Sequence, residues 1–151
     1  MVLNEGRVIK MDLGTFGAIM KFALEVETAV TSFYESAKEM VEDQELARLF
    51  NSLADRGQKR AKTIERVRRE NVTEMILEPI TGLDSETYKP VTAIPEDPDD
   101  GAIQEVAVEI EKNLQSFYAQ SALKIDFLSE VAYAFELLAE ANEAASERLS
   151  S

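Results

Sequence analysis

Neither histidine nor cysteine occurs anywhere in the 151 residues. Without cysteine there is no disulfide, no thiolate metal site and no cysteine nucleophile. Without histidine there is no imidazole ligand and no histidine general base, so the many serines cannot join a familiar Ser-His-Asp triad. Six glycines form no phosphate-cradling loop, and the four prolines, Pro79, Pro90, Pro95 and Pro98, fall in one stretch. No apolar run reaches 18 residues and no basic segment leads into one, so the expectation is a cytoplasmic chain without membrane association.

Positive charge is also scarce. The formal charge is −13, which argues against general nucleic-acid or anionic-membrane binding. Residues 43–72 reverse the sign, with eight Lys/Arg against five Asp/Glu. There Lys59, Lys62, Arg66 and Arg69 form a row on one helical face, most simply a solvated face and alternatively a docking surface for an acidic partner.

Apolar periodicity predicts one all-α domain over 1–151. Residues 1–14 are a lead-in, and Thr15 is an N-cap for a first helix to about Val41. Its stripe runs Phe16, Met20, Ala23, Glu27, Val30, Tyr34, Ala37, Val41. Asp43 caps a second helix to about Asn71, with stripe Leu46, Leu49/Phe50, Leu53, Gly57, Arg60, Ile64, Val67. Residues 72–97 read as a crossover whose apolar residues, Met75, Ile76, Leu77, Ile80, Leu83, Tyr88, Val91 and Ile94, suit it to lie against a bundle. Asp97 before Pro98 marks a third helix to about Lys124. A fourth begins after Asp126 or at Ser129, with stripe Val131, Phe135, Leu138, Asn142, Ala145, Leu149.

The two halves repeat. Glu27-Thr-Ala-Val-Thr-Ser-Phe-Tyr34 matches Glu111-Lys-Asn-Leu-Gln-Ser-Phe-Tyr118 at an offset of 84, each with an alanine four residues earlier, Ala23 and Ala107. Phe50-Asn-Ser-Leu-Ala-Asp55 answers Phe135-Glu-Leu-Leu-Ala-Glu140 at an offset of 85. Two helical hairpins, 15–71 and 98–150, joined by a long link have the connectivity of a ferritin-like four-helix bundle. In each half a glutamate stands on an otherwise apolar stripe.

These residues resemble the rubrerythrin branch of the ferritin-like superfamily over roughly 15–71 and 98–150. The resemblance implies a homodimer and a site for two iron or manganese ions, held by a glutamate from the first and third helices and a Glu-x-x-His pair from the second and fourth. Glu27 and Glu111 match the single glutamates as candidate remnant ligands. The four paired positions fall on Gly57, Arg60, Asn142 and Ala145, so all are substituted. Asp55 and Glu140 lie about 200° around their helices from these positions, and Glu143 about 100° off the stripe.

The substitutions suggest that Arg60 lays its guanidinium between Glu27 and Glu111 in place of metal, that Gly57 leaves room for it, and that Asn142, Tyr34 and Tyr118 supply hydrogen bonds. The leading expectation is a rubrerythrin-like protein without a di-iron centre or other cofactor, non-catalytic, in a binding or structural role. The alternative is a divergent di-iron or di-manganese oxidoreductase of peroxide or oxygen with a carboxylate-only site, drawing on Glu25, Glu109 or the crossover acids Glu78, Asp84 and Glu86.

Overall fold

The structure is a computed structural model that describes residues 13–71 and 80–151. Four long helices and one short helical turn make up its regular structure: α1 Phe16–Met40, α2 Gln44–Glu70, α3 Ser85–Tyr88, α4 Asp100–Lys124 and α5 Ser129–Ser150. Among the described residues no helix is long and apolar enough to cross a membrane.

The helix starts follow from short polar side chains that accept otherwise unpaired backbone N–H groups. Thr15 Oγ1 accepts from Ala18 N at 3.0 Å, and Asp43 Oδ1 from Glu45 N at 3.0 Å. The third cap differs from the sequence expectation. Asp99, not Asp97, accepts from Ala102 N, and α4 starts at Asp100; Asp97 lies in the preceding turn with φ +48°. The Asp-Pro signal therefore marks the approach to the helix, and the next acid in the run forms the cap.

α1 packs mainly on α2 and α4 mainly on α5, giving the two expected hairpins. Asp100 fixes their relative direction: its carboxylate accepts Glu42 N and Asp43 N, each at 2.9 Å, so the α1–α2 turn sits at the start of α4. α1 and α4 therefore run antiparallel. The core between them is aromatic, with Phe22, Phe117, Tyr118 and Phe135 in edge and tilted contacts and Phe33, Tyr34 and Phe50 in a second group.

The described part of the crossover lies on the bundle, as its apolar content suggests. Ile80 and Leu83 are buried, Tyr88 stacks near Phe117, and Ile80 N donates to Gly14 O. Val91 departs from that expectation at 75 % exposed. Met75, Ile76, Leu77, Glu78 and Pro79 fall outside the described residues, as do 1–12 of the lead-in.

On α5 the buried face is rotated slightly from the expected stripe. Ala139 is buried and Leu138 only partly so, whereas Val131, Phe135, Asn142, Ala145 and Leu149 are buried as expected.

Candidate functional site: a buried ion-pair network

Glu27 on α1 and Glu111 on α4 are 1 % and 0 % exposed, inside a core whose buried side chains are mostly apolar. Two unpaired carboxylates there would lose their hydration with nothing in exchange. The fold supplies two guanidinium groups, both from α2.

Arg56 takes Glu111. Its Nη1 donates to Oε1 and its Nη2 to Oε2, each at 2.7 Å, the bidentate geometry that suits a planar guanidinium and a carboxylate. Arg60 takes Glu27 at 3.2 Å and also donates to Asn142 Oδ1 and Leu138 O, each at 3.1 Å. Its guanidinium carbon stands 5.8 Å from the centre of the Tyr118 ring.

Arg60 thus points inward as the sequence suggests, but it pairs with Glu27 and not between the two acids. The second cation is Arg56, which the sequence reading overlooked. The signal was present: Arg56 precedes Arg60 by four residues and so shares its helical face. Two buried carboxylates also call for two positive charges.

The tyrosines of the repeated stretch complete the network across the bundle. Tyr34 OH donates to Glu111 Oε2 at 2.6 Å, and Tyr118 OH donates to Glu27 Oε2. Each bond is the counterpart of the other under the offset of 84. Asn142 bridges the halves, since its Nδ2 donates to Glu111 Oε1 at 2.8 Å while its Oδ1 accepts from Arg60.

Burial alone would raise the Glu111 carboxyl, but the hydrogen bonds and charge of Arg56, with Tyr34 and Asn142, outweigh it and hold the group below the usual carboxylate range. Burial also drives both tyrosines well above their ordinary value, Tyr34 next to Glu111 and Tyr118 next to Glu27. The Arg56 guanidinium opposes its own burial through Glu111, and its pKa is raised. Glu111 is thereby held as a carboxylate and Arg56 as a guanidinium ion, with Tyr34 and Tyr118 as neutral phenols.

The other two positions singled out by the resemblance play different parts. Gly57 is buried, and a Cβ built on it would stand 1.9 Å from Thr31 Oγ1 of α1. Its smallness serves the close approach of α1 and α2 and not, as expected from sequence, room for Arg60. Ala145 is buried beside an open groove between α2 and α5, lined also by Ser52, Asp55, Arg56 and Lys59.

The donor set does not fit a pair of metal ions. Glu111 already accepts four hydrogen bonds, two at each oxygen, which uses its acceptor capacity. Glu27 has one buried oxygen, Oε1, without a hydrogen bond. Among the described residues no three acidic side chains group closely enough to hold a cation. Asp84 and Glu86 belong to the exposed start of α3, where Asp84 Oδ1 accepts from Glu86 N, and Glu109 is exposed. Glu78 lies outside the described residues. The basic row of Lys59, Lys62, Arg66 and Arg69 is fully on the solvent side.

A scan against protein-family models, a search of curated proteins and a search of solved structures each return no match to this chain.

Proposed function

We propose that this protein is a ferritin-like bundle of rubrerythrin type in which two arginines stand where the family holds two cations, and that it is a non-catalytic scaffold. The observation that carries this proposal is the bidentate Arg56–Glu111 pair together with the Arg60–Glu27 pair. A guanidinium is charged throughout the accessible pH range and is not exchangeable, so it neutralises the carboxylates permanently where a metal would do so reversibly. Neither ion has redox chemistry to offer, and both tyrosines are held neutral by burial and by the acids they donate to. What the chain presents to other molecules is then its helix surfaces, in a binding or structural role.

Metal analysis decides between this proposal and a carboxylate-only oxidoreductase. Protein purified after growth with excess iron or manganese, and protein incubated anaerobically with ferrous or manganous ion, should retain well under one ion per chain. One or two ions per chain, lost in a Glu27→Ala, Glu111→Ala variant, would overturn it.

A further inference from the structure

The two buried arginines spend their guanidinium groups unequally. Arg60 donates to three acceptors, Glu27, Asn142 and Leu138 O. Arg56 gives two of its five N–H groups to Glu111, and its buried Nε has no acceptor among the described residues. Arg56 also lines the open groove between α2 and α5, whose volume of about 490 Å³ lies within the range of about 300–1,000 Å³ usual for small-ligand sites. The origin of the groove is visible in the internal repeat. At the offset of 85 the counterparts of Arg56 and Arg60 are Ala141 and Ala145, so α5 is short of side-chain volume where α2 carries two arginines.

The contacts of Arg60 with Leu138 O and Asn142 set the register of the two helices, with Arg60 level with about residue 140. α2 and α5 run antiparallel, since α1 and α4 do and each hairpin reverses the chain. Ser52 therefore stands level with Arg148, Arg56 with Ala144 and Lys59 with Ala141, over about 10 Å of groove. One cation stands at each end, Lys59 from α2 and Arg148 from α5, and neither has an ion pair among the described residues. Between them the lining is apolar, with Leu53, Ala144 and Ala145 around the Arg56 side chain. Asp55 also lines the groove; it is exposed, and its charge acts on Lys38 of α1 as well.

We infer that the groove binds a short aliphatic dicarboxylate, one carboxylate at Lys59 and the other at Arg148, with its methylene groups over Ala144 and Ala145 beside Arg56. Two unpaired cations with an apolar stretch between them match an anion that is charged at both ends and apolar in the middle. A monocarboxylate leaves one cation unanswered, and a compact phosphate does not span both ends. Ligand oxygens also offer acceptors to the N–H groups that Arg56 leaves unspent. The inference rests on the binding role proposed above and names a ligand class for it. Metal at Glu27 and Glu111 would refute the metal-free scaffold, whereas failure to bind a dicarboxylate would refute only the ligand.

Glutarate is the probe, titrated by calorimetry at constant ionic strength into protein passed over a chelating resin, so that no metal ion bridges the two. A dissociation constant below about 1 mM is expected. Butyrate, with one carboxylate, should bind at least about fivefold more weakly, and Lys59→Gln and Arg148→Gln should each weaken glutarate by about the same factor. Ala144→Leu should abolish binding by filling the groove without changing any charge. Lys62→Gln removes a cation that does not line the groove and should change nothing. All four positions are exposed, so the variants leave the core intact. The inference is overturned if the dissociation constant for glutarate exceeds about 1 mM, or if butyrate or inorganic phosphate binds as tightly. It is equally overturned if Lys62→Gln weakens binding as much as Lys59→Gln, which would be a general charge effect, or if Ala144→Leu binds like the native chain.

Discussion

Removing Arg56 tests the energetics of the network most directly. In Arg56→Met the methionine keeps much of the apolar stem, and Glu111 is left buried without its cation. Breaking a buried pair by deleting one partner costs about 3–5 kcal/mol, because the remaining charge is stranded. Glu111 would keep Tyr34 and Asn142, and the Arg56 side chain is 18 % exposed, so water has a path to the gap. Both facts point to the lower end, about 3 kcal/mol, or about 6–12 °C in melting temperature for a domain of this size. Circular dichroism at 222 nm through a thermal ramp at pH 7 measures it. Without Arg56, burial would push the Glu111 carboxyl upward, so the penalty should shrink on acidification as that group takes a proton. Arg56→Met with Glu111→Gln removes both charges while leaving Tyr34 and Asn142 an amide to bond, and should recover at least about 1 kcal/mol over the single variant. A single-variant loss below about 1 kcal/mol, or a double variant no more stable than the single, would refute the view that the pair is a compensated buried charge.

Three further outcomes follow from local geometry. Gly57→Ala should cost about 1–3 kcal/mol by overpacking against Thr31, despite the better helix propensity of alanine; chemical denaturation should show a smaller loss when Thr31→Ala is present, and equal losses would remove the contact as the cause. Asp100→Ala leaves Glu42 N and Asp43 N without their acceptor and should lower stability by about 1–2 kcal/mol, measured by the same denaturation, while an unchanged midpoint would show that the turn is held otherwise. The native protein should lose stability at both pH extremes. The Glu111 carboxyl is depressed below its ordinary 4.5, so the unfolded chain takes up the proton first and stability falls as pH drops below that value. Tyr34 and Tyr118 are raised above 10, so the unfolded chain loses the proton first and stability falls as pH climbs past 10. Melting temperatures from pH 3 to 11 check both limbs, and Tyr34→Phe should flatten part of the alkaline one.

The helices and their pairing were legible because apolar periodicity and polar caps act locally, and Thr15 and Asp43 cap where the sequence places them. The inward position of Arg60 was legible because it stands on an apolar stripe. Arg56 was legible only through its spacing of four from Arg60, since it falls between Leu53 and Gly57 beside that stripe and reaches inward by its length. Gly57 shows the converse limit. A buried mid-helix glycine signals a steric demand, but only the helix–helix geometry shows that Thr31 makes it. Asp100 could not be anticipated at all, because its two acceptor contacts are with residues 57 and 58 positions away.

The network also bears on how the two hairpins find their register. Arg56 reaches from the first hairpin to Glu111 in the second, Tyr34 does the same, Tyr118 reaches back to Glu27, and Arg60 contacts Asn142 and Leu138 O. Apolar side chains tolerate small slides of one helix along another, whereas a bidentate pair at 2.7 Å does not. Our hypothesis is that these contacts select one alignment from several of similar apolar burial, as a buried polar group does in some coiled coils. An all-apolar replacement tests it: Arg56→Met, Arg60→Met, Glu27→Leu, Glu111→Leu, Asn142→Leu, with both tyrosines changed to phenylalanine. Such a variant should keep its helical content and match or exceed the native melting temperature, since compensated buried charges often contribute little net stability. Its amide NMR spectrum should broaden or multiply as the hairpins sample more than one register. A single sharp set of resonances would show that packing alone fixes the alignment.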